Sequence, residues 1–426
     1  MAMLIEFAVS NFRSFKSRQA LSMVAGNVHE HLETNTFTAG LPGFGRFLRT
    51  SVIYGPNAAG KTNLLRAFAF VQNLIVNSAS MPPSAPLPYT PFKLANSMRE
   101  APSEFAITFV QNGIRYEYSI AMDAARIHQE RLVEYANPRG RTLFDRRYDE
   151  AGETYQWKFS SFLKGQPSIW RDATRSNALF LSTAVLLNSE QLLPVFEWFQ
   201  KRLAIIFNTA TLNPGLMVQL YDQPEGREKI LGFLHEADLG IADIGIKRQP
   251  MPDTFALRMA LGPPPRTFYE QRLGDSKLSE LKITLFHLGE DGELVGLDID
   301  DESAGTQALC LTAGAWLKVF ENGEVLLFDE IDTSLHPMLT KFLIKKFHSS
   351  AINQNNSQLI FSTHNTTFLD NELFRRDQIW FVEKDQNGAS GIYPLSDFNP
   401  RNDENFERWY LRGKYGALPI LNENNS

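Results

Sequence analysis

The chain has 426 residues, 43% hydrophobic and 21% charged, an ordinary globular composition with room for a large core. A net charge of −6 argues against a generic polyanion binder, and the one cysteine, Cys310, leaves no disulfide framework or cysteine-based zinc site. No stretch near 20 residues is continuously apolar, so no membrane span is expected; Glu6 interrupts the short apolar run at the start, which does not read as a secretory signal, and a cytoplasmic setting is the expectation.

In chain order, MLIEFAVSNF reads as a strand, and SVIYG, Ser51 to Gly55, as a buried strand leading into a glycine motif. KTNLLRAFAFVQNLI follows, with Leu64, Leu65, Phe68, Val71, Leu74 and Ile75 at helical spacing. The proline-rich stretch Met81 to Phe92 breaks regular structure, and FAITFV, IRYEYSIAM and RLVEYA then alternate as an antiparallel β lobe. Residues from about 163 to 245 read as mostly helical, with NALFLSTAVLLN and QLLPVFEWFQKRL the clearest cases. ELKITLFHLG returns to strand, DGELVGLDID is hairpin-like, and helix, strand, helix, strand follow from Gly305. No heptads are sustained, so no long coiled coil is expected. PRGRTLFDRR gathers Arg139, Arg141, Arg146 and Arg147, which reads either as a basic patch or as a solvated hairpin rim.

Gly55-Pro56-Asn57-Ala58-Ala59-Gly60-Lys61-Thr62 satisfies every fixed position of a phosphate-binding P-loop, between a strand and a helix. Its glycines let backbone N–H groups turn toward a phosphate, Lys61 can reach the β and γ phosphates, and the Thr62 hydroxyl can bind Mg²⁺. The helix that follows aims its positive end at the anion. The expected cofactor-binding set is Asn57, Gly60, Lys61, Thr62 and Asn63. In EVLLFDEIDTSLHP an apolar strand ends in Asp329 and Glu330, placed to hold the Mg²⁺ shell and to polarise an attacking water. QLIFSTHN ends a further strand at His364. One helix lies between, so a right-handed crossover would bring His364 and Glu330 to the same sheet edge, facing a γ-phosphate.

Taken together with the Ser-x-Gly step in DESAGTQ, these motifs resemble the ABC-type ATPase heads of the SMC, Rad50, RecF and OLD class. Within it the chain resembles the stand-alone bacterial AAA15 ATPases, which include RloA-like proteins. EFAVSNFRSFK, GPNAAGKTNLL, LHEADLGIADI, FSTHNTTFLD, RRDQIWFVEKD and RWYLRGKYGALP carry this resemblance from Ile5 to Pro419.

The resemblance implies an α/β P-loop NTPase of ABC-ATPase type, a mixed sheet with an antiparallel β lobe and an inserted helical region. The expected division is 1–80 and 276–426 for the two parts of the head, 81–162 for the β lobe and 163–275 for the mostly helical insertion. ATP and Mg²⁺ are the implied cofactors; the loop alone does not choose ATP over GTP. Asp329 would be the Walker B acid and metal ligand with Thr62, Glu330 and His364 the catalytic base and switch histidine. Asp332 would be the D-loop acid, and Ser303 and Gly305 the signature that meets a second copy's nucleotide. Glu302 stands where the common signature has leucine. Gln129 and Gln72 are both candidates for a Q-loop glutamine.

The implied function is an ATPase whose ATP-sandwich homodimer, or higher homo-oligomer, gates a neighbour-encoded effector, a nuclease, in bacterial anti-phage defence. The alternative is a RecF/SMC-like DNA-repair or DNA-clamping ATPase, so nucleic acid stays open as a partner. No nuclease activity is expected in this chain, because the 62 residues after His364 are short for a TOPRIM domain and hold no Asp-x-Asp.

Overall fold

A computed structural model describes residues 1–136, 139–207, 214–250, 268–270, 279–333, 335–401 and 404–419. The chain opens with β1 (Ala2–Ser10) and β2 (Gln19–Ser22), and reaches β3 (Thr50–Tyr54) before α1 (Lys61–Asn77). Five strands follow, β4 (Ser103–Gln111), β5 (Ile114–Met122), β6 (Ile127–Tyr135), β7 (Arg141–Asp149) and β8 (Thr154–Phe159). Then come α2 (Phe180–Leu186), β9 (Leu203–Ile206), α3 (Gly215–Tyr221) and α4 (Pro224–Glu236). Four strands follow, β10 (Asp243–Pro250), β11 (Phe268–Glu270), β12 (Ser279–Leu288) and β13 (Leu294–Asp298). The last part runs α5 (Ala304–Asn322), β14 (Val325–Phe328), α6 (Pro337–His348), β15 (Gln358–Ser362), β16 (Ile379–Lys384) and β17 (Ser390–Pro394).

Two compact units result. The first comprises Met1–Ile206, Asn322–Glu330 and Ile344–Ser426. It holds a seven-stranded sheet in the order β8-β7-β6-β5-β4-β1-β2, antiparallel at every pairing, and a six-stranded sheet in the order β9-β14-β15-β3-β16-β17. In the six-stranded sheet β9, β14, β15, β3 and β16 run parallel, and β17 closes the edge antiparallel. The residue patterns explain the difference. β3, β14 and β15 are buried at every residue, as strands covered on both faces must be, whereas β5 alternates buried and half-buried residues along its length. One core cluster joins both sheets to α1, which contributes the apolar stripe expected from its spacing, and the Phe7 and Phe68 rings stack 3.7 Å apart.

The second helical segment departs from its periodicity. QLLPVFEWFQKR is helical, as an α-turn over Leu193–Glu197 and a π-turn over Trp198–Arg202. The next four residues, Leu203–Ile206, instead add a strand to the parallel sheet beside β14. Gln72 fastens this junction, its amide donating to the carbonyls of Phe199 (2.8 Å) and Leu203 (2.7 Å).

The second unit comprises Phe207–Glu321 and Ile331–Leu343. Here β10, β11 and β13 all pair antiparallel with β12, and α3, α4 and α5 accompany them. A Cβ on Gly314 of α5 would lie 2.7 Å from the Met217 backbone of α3, so these helices meet at a point only glycine allows. The part of the expected helical insertion between 251–267 and 271–278 lies outside the described residues. LHEADLGIADI and RWYLRGKYGALP both put their apolar residues in cores: Leu234, Ile241 and Ile244 in one, Tyr410, Tyr415 and Ala417 in the other.

Candidate nucleotide-binding site

β3 delivers the chain to the loop through Gly55, whose φ of +152° and 2.2 Å clearance from the Val382 carbonyl leave no space for a side chain. Gly60 is as tightly required. Its φ is +121°, and a Cβ there would stand 2.4 Å from Ser390 Oγ and 2.9 Å from Ser14 Oγ. Gly60 is also the N-cap of α1 and brings no side-chain cap to it. The first-turn N–H groups of a helix lack intrahelical acceptors, so this uncapped end suits an anion. Lys61 is buried, with Nζ donating to the carbonyls of Gly55 (2.7 Å) and Pro56 (3.2 Å).

Two serines brace the loop from outside it. Ser14, in the SNFRSFK stretch, accepts from Asn63 Nδ2 at 2.9 Å, and its carbonyl accepts from the Ser390 N–H at 2.8 Å. Ser390 Oγ donates to the Ala59 carbonyl. Neither serine stood out in the sequence. The only available signal was that SNFRSFK sits with the other family-like stretches.

The acidic side of the site comes from β14 and β15, which lie parallel and in register from Val325↔Gln358 to Phe328↔Phe361. Their ends therefore project to the same edge. Asp329 is buried and Ser362 fully so; Ser362 Oγ donates to Asp329 Oδ1 at 2.5 Å and accepts from the Glu330 N–H at 2.8 Å. Glu330 holds φ at +51°, a left-handed conformation unusual for a glutamate. Its carboxylate stands half-exposed, with Oε1 3.8 Å from His364 Nε2. The parallel strands bring Glu330 and His364 to one edge.

These elements line a polar cleft of about 390 Å³, formed by Asn57, Ala58, Ala59, Gly60, Lys61, Thr62, Asn63, Glu330 and His364. Asp329 does not line it; it is linked to the cleft residue Glu330 through Ser362. The cleft therefore joins a cationic, N–H-rich side to an acidic one. That donor set suits a phosphate chain and a hard divalent cation: a buried lysine, a threonine hydroxyl, a carboxylate and a glycine cradle a side chain would fill.

Ser303, Gly305 and Asp332 belong to the second unit. Ser303 caps α5, its hydroxyl accepting from the Thr306 N–H at 3.1 Å, while Ser303 and Ala304 are exposed. Among the described residues Asp332 Oδ1, which is buried, has no hydrogen-bond partner. Neither Q-loop candidate lines the cleft: Gln72 holds the Phe199–Leu203 junction, and Gln129 lies within β6. The arginines of PRGRTLFDRR do not form one patch. Arg146 is fully buried and donates to the carbonyls of Ala178 and Arg175, Arg141 pairs with Glu134 and Arg147 with Asp145.

Comparison with known proteins finds a family and solved structures of similar fold. A family model described as "AAA domain, putative AbiEii toxin, Type IV TA system" matches residues 51–370. A solved structure described as "Crystal structure of the SmcHead bound to the C-winged helix domain of ScpA" is similar at a TM-score of 0.38 and 14% identity, over 92% of this chain and 97% of that one. No curated protein matches.

Proposed function

The chain belongs to the AAA-domain family matched by its residues 51–370, and from that premise we propose that it binds and hydrolyses ATP at the Lys61 cleft as a dimer closed over two nucleotides. The observation that carries this reading is the meeting of an uncapped helix start, a buried lysine, Glu330 and His364 in one polar cleft. Asn57, Gly60, Lys61 and Asn63 would cradle the phosphates, and Lys61 would exchange its two carbonyl acceptors for phosphate oxygens. Thr62 and Asp329 would hold Mg²⁺, with Ser362 orienting the Asp329 carboxylate. When bound, the cation supplies positive charge over the phosphate oxygens. Glu330 would take the proton of the attacking water, and His364 would stand beside it at the γ-phosphate end.

The second half of each site would come from a second copy. Ser303 and Gly305 open a 19-residue helix whose exposed start wants an anion, and a two-fold dimer would supply one to each copy. Asp332 would be the D-loop acid that communicates across that interface. Opening and closing of the dimer would gate a neighbour-encoded effector, a nuclease, in anti-phage defence. The type IV toxin–antitoxin wording of the family description supports a setting with a second component. The DNA-clamping alternative draws little support from the lobe arginines: Arg146 is buried, Arg141 and Arg147 pair with carboxylates, and Arg139 is exposed.

The test is steady-state ATP hydrolysis by the purified chain, with Lys61→Ala and Glu330→Gln alongside. Lys61→Ala should lose nucleotide binding, and Glu330→Gln should bind normally while hydrolysing at least about a hundredfold more slowly. Normal turnover by Glu330→Gln would remove Glu330 from the base role.

A further inference from the structure

Glu302 replaces the leucine common in signature sequences, and the structure gives its carboxylate a specific partner. His287, near the end of β12 and opposite Val295 of β13, places Nε2 2.7 Å from Glu302 Oε1. Its other ring nitrogen, Nδ1, lies 3.0 Å from the Gly240 carbonyl. Gly240 belongs to LHEADLGIADI and turns the chain at φ +65° shortly before β10. One imidazole thus ties together the turn before β10, the β12–β13 hairpin and the residue preceding Ser303.

Both ring nitrogens face oxygen acceptors, so both bonds exist together when each nitrogen carries a hydrogen. The Glu302 side chain is 12% exposed and the imidazole 25%, so the pair is shielded more than an ordinary surface pair. The backbone of Glu302 is held as well. Its N–H donates to the Ile299 carbonyl at 3.3 Å, and its own carbonyl accepts from Gln307 Nε2 at 2.7 Å. The next residue, Ser303, is the cap of α5, so whatever fixes Glu302 fixes the direction of the exposed helix start. A leucine here would leave His287 Nε2 without this oxygen partner. A carboxylate on an imidazole adds a directional bond.

We propose that His287 is a positioning residue for the signature, holding Glu302 so that the Ser303 end of α5 is presented correctly to a second copy's nucleotide. The proposal rests on the ATP-dependent dimer described above. It assigns a role to the departure at Glu302 and to the LHEADLGIADI segment in one contact set.

Two measurements on the full chain test it: ATPase activity per molecule as a function of protein concentration, and binding of a fluorescent ATP analogue to dilute protein. His287→Ala and Glu302→Leu should each raise the concentration for half-maximal activity by about tenfold, the size of losing one charge-assisted hydrogen bond. The double variant should be no worse than either single one, because both remove the same contact. Glu302→Gln should stay within about threefold of wild type, since its carboxamide can donate to a neutral imidazole. Analogue binding to dilute protein should be unchanged throughout. If His287→Ala fails to fold, the contrast between Glu302→Leu and Glu302→Gln decides the matter alone. Singles that superimpose on wild type while Ser303→Arg blocks dimerisation would overturn the positioning role. So would a double variant that multiplies the two losses, or an equal loss of analogue binding in dilute protein. If Ser303→Arg itself leaves ATP-dependent dimerisation intact, the dimer reading fails and this proposal with it.

Discussion

Removing the Ser362 hydroxyl probes how the acidic edge is held. Ser362 Oγ donates to a buried carboxylate, Asp329, and accepts from the N–H of Glu330. The first bond is charge-assisted and contributes about 1.5–3 kcal/mol; losing the second costs about 1 kcal/mol or more, because it leaves a backbone donor without an acceptor. Glu330 is also held in a left-handed backbone conformation that costs a non-glycine residue about 1 kcal/mol or more. In Ser362→Ala that conformation loses its restraint, and the Glu330 side chain leaves its position beside His364. We therefore expect kcat to fall by about 30- to 150-fold, corresponding to about 2–3 kcal/mol, with analogue affinity changed less than about threefold because the phosphate cradle is untouched. Coupled ATPase assays and titration with the fluorescent analogue read the two effects separately. A kcat within threefold of wild type would refute the view that Ser362 organises Asp329 and Glu330. A matching loss of affinity would move its role to the phosphate cradle.

Three further outcomes follow from the structure. Gly60→Ala places a Cβ 2.4 Å from Ser390 Oγ at φ +121°, so thermal unfolding should show a loss of about 1–3 kcal/mol and analogue binding should weaken. His348 is buried against Thr50 Oγ1 at 2.8 Å, and burial pushes its pKa down to about 3. Its folded form stays neutral while the unfolded chain takes up a proton below about pH 6.5. Stability should therefore fall as pH drops from about 6.5 toward 3, by up to about 1.4 kcal/mol per pH unit from this group, and the melting curve of His348→Gln should fall less steeply. The Cys310 thiol is fully buried and its pKa is raised to about 12, so a thiol reagent at pH 8 should label it only after unfolding.

The sequence carried the parts of the fold that repeat a period over many residues. α1 shows its apolar stripe plainly, and the strands of the β lobe alternate or turn on short polar links, so both were legible. The P-loop was legible because its glycines answer a local requirement, the positive φ at Gly55 and Gly60. What escaped was short or held at a distance. Leu203–Ile206 is four apolar residues following a helical run, and only pairing with β14 makes it a strand. Ser14 and Ser390 brace the P-loop from positions far away in the chain, and no spacing rule reaches that far. Within the arginine cluster Arg146 escaped both readings for the same reason: its burial depends on the Ala178 and Arg175 carbonyls about 30 residues on. Glu302 was visible as a departure, but its partner His287 lies across a hairpin and emerges only with the register of β12 and β13.

The central claim is that ATP joins two copies of the chain through Lys61 on one and Ser303 on the other. Light scattering on Glu330→Gln, run with and without ATP and Mg²⁺, tests it most directly. ATP should at least double the measured mass relative to the nucleotide-free sample, from a 48.3 kDa chain if that sample is monomeric, and adding Ser303→Arg to the same variant should abolish the rise. A mass indifferent to ATP, or a rise that survives Ser303→Arg, would contradict it.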